Sequence, residues 1–515
     1  MYTIIYILIV VIIIIILIYY AWYIRNNEDI NRDFPFKILY RNHTIVDMFD
    51  DITRKYGNHT AMKKKHKNKW INISYSEYHT ATMDFSQNLL YFIGPHPRVA
   101  ILSSNRPEWF YAHMGSIIAC GVSVGITPNA SSETCAYIIN NSCSDVIVIE
   151  NYNQLAKFYN VKMPTVKFIL LLEDQMNIVK QSDHLRNTFK KLKENILPFN
   201  SNNNNEDNSL EYETNFELIE NIKLTNKQIN MIMYDEFVNK SINNINTTTT
   251  IDLSKPCTDD IVSIIYSSES DHPNGVVITH KNIISSLRLI MNSIQCRSNI
   301  TLYIQERMVS YLPLNQMMTH IMDMYIPLAS VGIVHFITNI DHIDQIIKEI
   351  RPTLFVSTHQ IWESIIDKIK MNQSDPNRLL NKLFVNKMII KDMGLDKCKY
   401  CITTSQYPPD KKDFFKNLGL EMCEMYNMNE STGPISVSVP GSSKGMGIPI
   451  VNVKINRDNN EIMVKGDTIF KEYYKNIPAT QSSFNKKGWF KTGDTGYVDR
   501  DGTLYVTGEI TNTKN

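Results

Sequence analysis

Three stretches of this 515-residue chain concentrate side chains able to do chemistry. Tyr426-Asn-Met-Asn-Glu-Ser-Thr-Gly-Pro434 sets an aromatic ring, the Asn429 amide and the Glu430 carboxylate close together. Gly488-Trp-Phe-Lys-Thr-Gly-Asp-Thr-Gly496 holds one carboxylate, Asp494, between glycines. Ile264-Ile-Tyr-Ser-Ser-Glu-Ser-Asp-His-Pro-Asn-Gly-Val-Val-Ile-Thr-His-Lys-Asn282 passes from an apolar run into the hydroxyls of Ser267, Ser268 and Ser270, then a turn, then Gly275. An aromatic face suits a planar base and a hard carboxylate suits a hard cation. Hydroxyl and N–H donors at a strand-to-helix turn suit an anion, but Glu269 and Asp271 place negative charge in that turn. Cys398-Lys-Tyr-Cys401 has the spacing of a redox motif or half a zinc site. No second Cys or His pair accompanies it, which favours a structural reading.

The elements that must position these groups read as an α/β fold. Arg98-Val-Ala-Ile-Leu102 and Val146-Ile-Val-Ile-Glu150 are apolar runs of strand length. Between them Glu108–Val122 has helical spacing and the small residues Gly115, Ala119 and Gly121, so the stretch reads as a βαβ unit in a mainly parallel sheet. Val309–Leu314, Thr353–Val356 and Cys398–Thr403 continue the series of buried strands, and Asp410–Leu418 is an amphipathic helix. After Gly433, alternating stretches such as Glu461-Ile-Met-Val-Lys465 and Thr503-Leu-Tyr-Val-Thr507 predict a small antiparallel β-subdomain. Between 195 and 254 the chain turns Asn-rich, with runs at Asn202–Asn205 and Thr247–Thr250. So little apolar surface cannot offset the entropy of ordering, which predicts a disordered or loosely packed insertion, with a short helix over Gln228–Val238.

The three stretches resemble the nucleotide motifs of the adenylate-forming superfamily, the acyl-CoA synthetases and their relatives. That family's phosphate loop reads Tyr-Thr-Ser-Gly-Thr-Thr-Gly-x-Pro-Lys-Gly-Val; here Tyr266, Ser267, Ser268, Ser270, Pro273, Gly275, Thr279, His280 and Asn282 match. Glu269 stands at the first Gly, Asp271-His272 shorten the next stretch by one residue, and Asn274 replaces the Lys. The family's Gly-Ala-Ala-Pro turn, helix and Tyr-Gly-x-Thr/Ser-Glu correspond to Thr403-Thr-Ser405-Gln406, Asp410–Leu418 and Tyr426–Glu430. By resemblance Ser267, Ser268, Ser270, Gly275, Ser405, Gln406, Tyr426 and Asp494 bind nucleotide, with Tyr426 stacked on adenine and Asp494 on the ribose hydroxyls. Glu430 would hold Mg²⁺ and act in catalysis beside Asn429, which replaces a hydroxyl. Asn427 replaces a Gly, and Asn tolerates positive φ better than most residues. After Gly508 the family's Arg is Glu509, and Asn515 falls at the hinge before the family's small mobile C-terminal domain. The expectation is therefore a large N-terminal domain without that domain and its adenylation lysine.

Asn105-Arg-Pro-Glu-Trp-Phe110, Cys120-Gly-Val-Ser-Val-Gly125, Ser310-Tyr-Leu-Pro-Leu314 and Arg351-Pro-Thr-Leu-Phe355 narrow the resemblance to bubblegum-type long-chain acyl-CoA synthetases. The Leu-Pro-Leu-x-His of those relatives is Leu312-Pro-Leu-Asn-Gln316 here, and His320 reads as a structural or surface residue rather than its replacement. The implied organisation is 1–24 anchor, 34–194 and 255–434 as two α/β parts around the 195–254 insertion, 435–510 the β-subdomain and 511–515 a tail. The implied substrates are a fatty acid, ATP with Mg²⁺, and CoA.

Composition bounds the partners. The formal net charge is only +1, which makes no general electrostatic case for nucleic acid. Eight cysteines lie scattered, without a disulfide framework. Met1–Ile24 carries no charged side chain and is almost continuously apolar over Ile4–Ile18. About 20 apolar residues span a bilayer, so the segment reads as a single-pass anchor ending in interfacial aromatics and Arg25. ATP and CoA supply would place the fold on the cytosolic side, for instance of the endoplasmic reticulum. The leading reading is a membrane-anchored fatty acid–CoA ligase with a degenerate phosphate loop. Two alternatives stay open: a pseudoenzyme that binds fatty acid, acyl-CoA or nucleotide, and a membrane-tethered interaction protein.

Overall fold

Short, mostly apolar runs build the largest sheet among the described residues. The computed structural model describes residues 43–67, 69–173, 218–239, 256–267, 270–298, 305–337, 340, 343–372, 382–404, 406–420, 422–438 and 445–510. Among these, seven strands lie in the order Asn230–Met233, Phe168–Leu171, Val146–Ile149, Arg98–Leu102, Val122–Ile126, Ile261–Tyr266 and Gly275–Thr279. All neighbours are parallel except the final pair, an antiparallel hairpin. Arg98–Leu102 and Val146–Ile149 are buried on both faces apart from Arg98, as a parallel sheet covered on both sides requires.

Two expectations need correction. The helix after Arg98–Leu102 is Pro107–Ile118, and Val122 opens a strand rather than closing that helix. Cys120 adopts φ 54°, a left-handed turn that stops the helix, and Gly121 sits against Pro97 where any Cβ would collide. The Asn-rich tract is also not loose throughout. Residues 218–225 form a helix, Asn230–Met233 adds the edge strand of the sheet, and the helix expected over Gln228–Val238 is confined to Tyr234–Asn239. Leu218, Ile222, Tyr234 and Phe237 are buried there, enough apolar area to order this piece despite its composition. The rest of the tract and the 1–24 segment lie outside the described residues. Among the described residues no helix is long and apolar enough to cross a membrane.

A second sheet orders Leu354–Ser357, Tyr400–Thr403, Met422–Met428, Gly433–Val437 and Ile448–Pro449. Its first three strands are parallel and the rest antiparallel, so Met422–Met428 runs directly into a hairpin. A third sheet, Asn452–Ile455, Glu461–Lys465, Phe490–Val498 and Leu504–Glu509, is wholly antiparallel and forms the expected β-subdomain. A fourth joins Arg307–Ser310 and Ile333–Phe336 to the hairpin Thr60–His66 and Lys69–Ser74. Asn282 fastens the first sheet to the β-subdomain: its oxygen accepts from Thr279, and its amide nitrogen donates to the carbonyls of Asp467 (2.8 Å) and Ile469 (2.9 Å).

Four buried histidines hold these layers together in neutral form. His280 Nδ1 accepts from Ile45 N at 3.1 Å, His335 bonds the Met308 carbonyl, His320 the Leu314 carbonyl, and His113 the Tyr325 hydroxyl. Burial pushes His280, His320 and His335 down to about 4, and His113 well down. The unfolded chain therefore takes up protons first as pH falls below 6.5, costing about 1.4 kcal/mol per pH unit for each such ring until about pH 4. Asp323, pushed up to about 7 by burial, has the opposite slope and offsets one ring. The urea midpoint should drop from pH 7 to pH 5 with unchanged secondary structure at the start of each titration; a flat profile would contradict neutral burial of these rings.

Candidate active site

Tyr426 and Glu430 share one hairpin. Tyr426 lies on Met422–Met428, and residues 429–432 turn the chain into Gly433–Val437. The pairing slips between Tyr426 and Asn427, a bulge of the kind that re-aims a side chain beside a site. Positive φ in this turn falls at Thr432 and Gly433 and not at Asn427, so the tolerance expected of Asn427 is not used. Instead its amide lies 3.4 Å from the Thr404 carbonyl. The Asn429 side-chain oxygen accepts from Met317 N at 2.9 Å, tying the turn to the segment that follows Gln316.

Asp494 comes from the β-subdomain. Gly493 precedes it at φ 78°, where other residues are strained, and Asp494 N donates to Thr492 Oγ1 at 3.1 Å. The Tyr426 hydroxyl donates to Asp494 Oδ2 at 2.5 Å, joining the mixed sheet to the antiparallel one. Glu430 meets the subdomain as well: Tyr473 OH donates to Glu430 Oε1 at 2.8 Å, and Phe470 N to the Glu430 carbonyl at 2.7 Å. Two predicted site residues, Tyr426 and Asp494, are thus joined directly, while Glu430, on the turn after Tyr426, is held by Tyr473. Burial raises the Asp494 carboxyl, the Tyr426 hydrogen bond lowers it, and Glu509, its cross-strand partner, raises it further. Replacing the family's Arg by Glu509 therefore sets like charges across one pair.

The hydroxyl-rich turn sits apart. Ser267, Ser270 and Asp271 line a cavity of about 530 Å³ with Thr127, Ser131 and Gln316. The turn is tied to its surroundings by the residues that depart from the family pattern. Asp271 Oδ1 accepts from Thr134 at 3.2 Å, the His272 ring meets Tyr137 edge-on at 4.7 Å, and Asn274 Oδ1 accepts from Asn476 at 2.8 Å. Gly275 does not line this cavity. It pairs with Tyr266, and a Cβ there would lie 2.7 Å from Ile264 and 2.8 Å from Tyr266, so its role is close strand packing. Ser268 and Ser405 lie outside the described residues. Gln406 is exposed. A second cavity, about 270 Å³, lies between Leu312, Met318, Met322, Val356, Thr404 and Asn427. Pro313 and Gln316 border both cavities, so the residue standing at the relatives' His lies where they adjoin. His320 is fully buried and structural.

Sequence reasoning did not find Tyr473, whose partner Glu430 is 43 residues away along the chain, and no local signal marks it. It also passed over Asp323, for which a signal existed: one carboxylate within the apolar run Ile321–Ile326. Cys398 and Cys401 place their sulfurs 3.6 Å apart, and no group of three or more His, Cys, Asp or Glu that could hold a metal occurs among the described residues.

Comparison with known proteins gives the family and the fold. The family described as AMP-binding enzyme matches residues 49–474. The long-chain-fatty-acid–CoA ligase ACSBG2 of Xenopus laevis is 27% identical over 516 residues, covering 91% of this chain and 63% of the relative. The human protein of the same name is 25% identical, covering 91% and 69%. Thus the chain spans about 63% of the first of these relatives. The N-terminal domain of FACL13 from Mycobacterium tuberculosis superposes with a TM-score of 0.61 at 18% identity, covering 90% of this chain and 99% of that one. The anthranilate CoA ligase AuaEII bound to anthranoyl-AMP gives 0.66 at 13% identity, covering 90% and 77%. At these identities the superpositions show the fold.

The segment 406–408 depends on a buried ion pair. Lys412, on helix Pro409–Leu418, donates to Glu424 Oε2 at 2.9 Å, and Tyr407 N donates to Glu424 Oε1 at 2.6 Å. Glu424 is 1% exposed. Lys412→Met strands that carboxylate and should cost about 3–5 kcal/mol in chemical denaturation. A loss under about 1 kcal/mol, the range of exposed pairs, would show that the pair does not hold the loop.

Proposed function

Because the chain belongs to the AMP-binding enzyme family, and resembles its bubblegum-type members, we propose that it activates a long-chain fatty acid with ATP for transfer to CoA. In this reading a carboxylate oxygen attacks the α-phosphate, pyrophosphate leaves, and the thiol of CoA then displaces AMP from the acyl-AMP. The observation that carries it is the Tyr426–Asp494 hydrogen bond between two sheets, with Glu430 on the turn that follows Tyr426 and held there by Tyr473. Tyr426 offers a buried ring for adenine, and Asp494 offers carboxylate oxygens for the ribose hydroxyls. Glu430, oriented by Tyr473, is a hard oxygen donor of the kind Mg²⁺ takes singly beside substrate phosphates. Bound there, the cation would offset the like charges of carboxylate and phosphate. The apolar 1–24 segment would anchor the fold to a membrane, on the cytosolic face of the endoplasmic reticulum where ATP and CoA are supplied.

One observation favours a second reading, that of a protein that binds nucleotide or acyl ligand without turnover. Asp271 lines the 530 Å³ cavity beside Ser267 and Ser270, and a carboxylate there opposes pyrophosphate. Acid-dependent exchange of labelled pyrophosphate into ATP separates the two. Wild-type protein with Mg²⁺ and hexadecanoic acid should exchange, Glu430→Ala should lose about 10²-fold or more, and Asp494→Ala should weaken ATP about tenfold. Exchange undiminished in Glu430→Ala would remove the assignment of Mg²⁺ to that carboxylate. Nucleotide binding without exchange by wild type would select the second reading.

A further inference from the structure

The stretch 63–69 reads Lys-Lys-Lys-His-Lys-Asn-Lys, five lysines in a chain whose formal net charge is only +1. It forms the end of the hairpin of Thr60–His66 and Lys69–Ser74. Pairing of Thr60–His66 with Ile333–Phe336 stops at Lys63 and His335, so beyond that pair the hairpin leaves the sheet as a two-stranded ribbon. Two carboxylates secure its base: Lys64 meets Glu108 at 3.2 Å, and Lys65 meets Glu349 at 2.6 Å. No ion pair among the described residues engages Lys63, Lys67 or Lys69. Lys67 and Lys69 are exposed. Lysines so crowded repel one another, a cost that an anionic partner relieves. Guarding a sheet edge against pairing needs charge on the edge strand, yet that strand, Lys69–Ser74, holds one of the five lysines. Three lie on the inner strand and one in the turn.

One face of the ribbon identifies the partner. Side chains alternate along a strand, so Ile71 shares a face with Lys64, His66 and Lys69, and it is 41% exposed. An aliphatic side chain among lysines suits a lipid interface, where ammonium groups meet headgroup phosphates and the apolar group enters the acyl boundary. Single-stranded nucleic acid would instead call for an exposed aromatic platform. Trp70 does not offer one: its ring is half-buried, edge-on to His335 at 5.3 Å and with the Lys65 ammonium 5.5 Å away. Among the described residues only the helix Ile45–Tyr56 precedes the hairpin, which is therefore one of the first elements after the apolar 1–24 segment. We propose that this hairpin docks on a bilayer surface rich in anionic lipid, with Lys67 and Lys69 on the headgroups and Ile71 at the acyl boundary. The inference deepens, and rests on, the reading of 1–24 as a membrane anchor, and it names the side of the fold that faces the membrane.

The test is a brief pulse of an acetylating reagent on the full chain mixed with vesicles, read lysine by lysine by mass spectrometry. The vesicles are phosphatidylcholine alone or with about 30% phosphatidylserine. Each lysine at an anionic surface is worth roughly fivefold in population, so acetylation of Lys67 and Lys69 should slow about tenfold or more on the anionic vesicles and recover in high salt. The exposed Lys454 and Lys487 of the β-subdomain should keep their rates. Lys69→Ala combined with Ile71→Ser, both at exposed positions, should return Lys67 to its rate on neutral vesicles. Equal hairpin rates on both vesicles, equal slowing of Lys454 and Lys487, or protection by single-stranded RNA and not by vesicles would each overturn the proposal, the last in favour of a nucleic-acid partner. Flotation with neutral vesicles reads the 1–24 segment separately. Flotation there without hairpin protection on anionic vesicles sinks this inference and leaves the anchor standing; salt-sensitive protection without flotation on neutral vesicles does the reverse.

Discussion

The Tyr426–Asp494 hydrogen bond is the contact on which the rest of the site depends. It spans two sheets of different topology, one mixed and one antiparallel, and each contributes one of its two groups. The bulge at Tyr426 and the left-handed Gly493 both serve to aim the two ends of that bond. Glu430 reinforces it a turn further on, through Tyr473 and Phe470 of the β-subdomain. A hydrogen bond between a phenol and a carboxylate withdrawn from water is stronger than one at the surface, so a single pair can set the register of two layers.

Charge divides the site into two halves. In one, the carboxylates of Asp494 and Glu430 accept from the hydroxyls of Tyr426 and Tyr473. In the other, Asp271 lines the 530 Å³ cavity, and Asn274 is engaged by Asn476. Glu509 opposite Asp494 extends the excess of negative charge to the end of the described chain. On the proposed reading, a phosphate chain entering this cavity would rely on Mg²⁺, backbone N–H groups and the Ser267 and Ser270 hydroxyls.

Much of this was legible in the amino-acid order, and the failures have physical causes. Val146–Ile149 and Glu461–Lys465 read correctly because their apolar pattern has only one compatible element. Val122–Ile126 was hidden by Gly121 and Gly125, whose small size fits helix packing as well as a close strand crossing. Asn230–Met233 was hidden by its neighbours' composition, although Leu218, Ile222, Tyr234 and Phe237 supply the apolar area that orders it. Tyr426, Glu430 and Asp494 were readable because each sits in a motif. Tyr473 gains its place only through a contact distant in sequence, and Asp323 sits in a run whose periodicity announces core.

The central claim is that Tyr426, Glu430 and Asp494 form one pocket for an acyl-adenylate. Calorimetric titration of a non-hydrolysable acyl-adenylate analogue into the wild-type chain tests it most directly. The account predicts one-to-one binding, tighter than that of AMP, and weakened by Tyr426→Ala as well as by Asp494→Ala. Absence of binding, or binding indifferent to both substitutions, would contradict it.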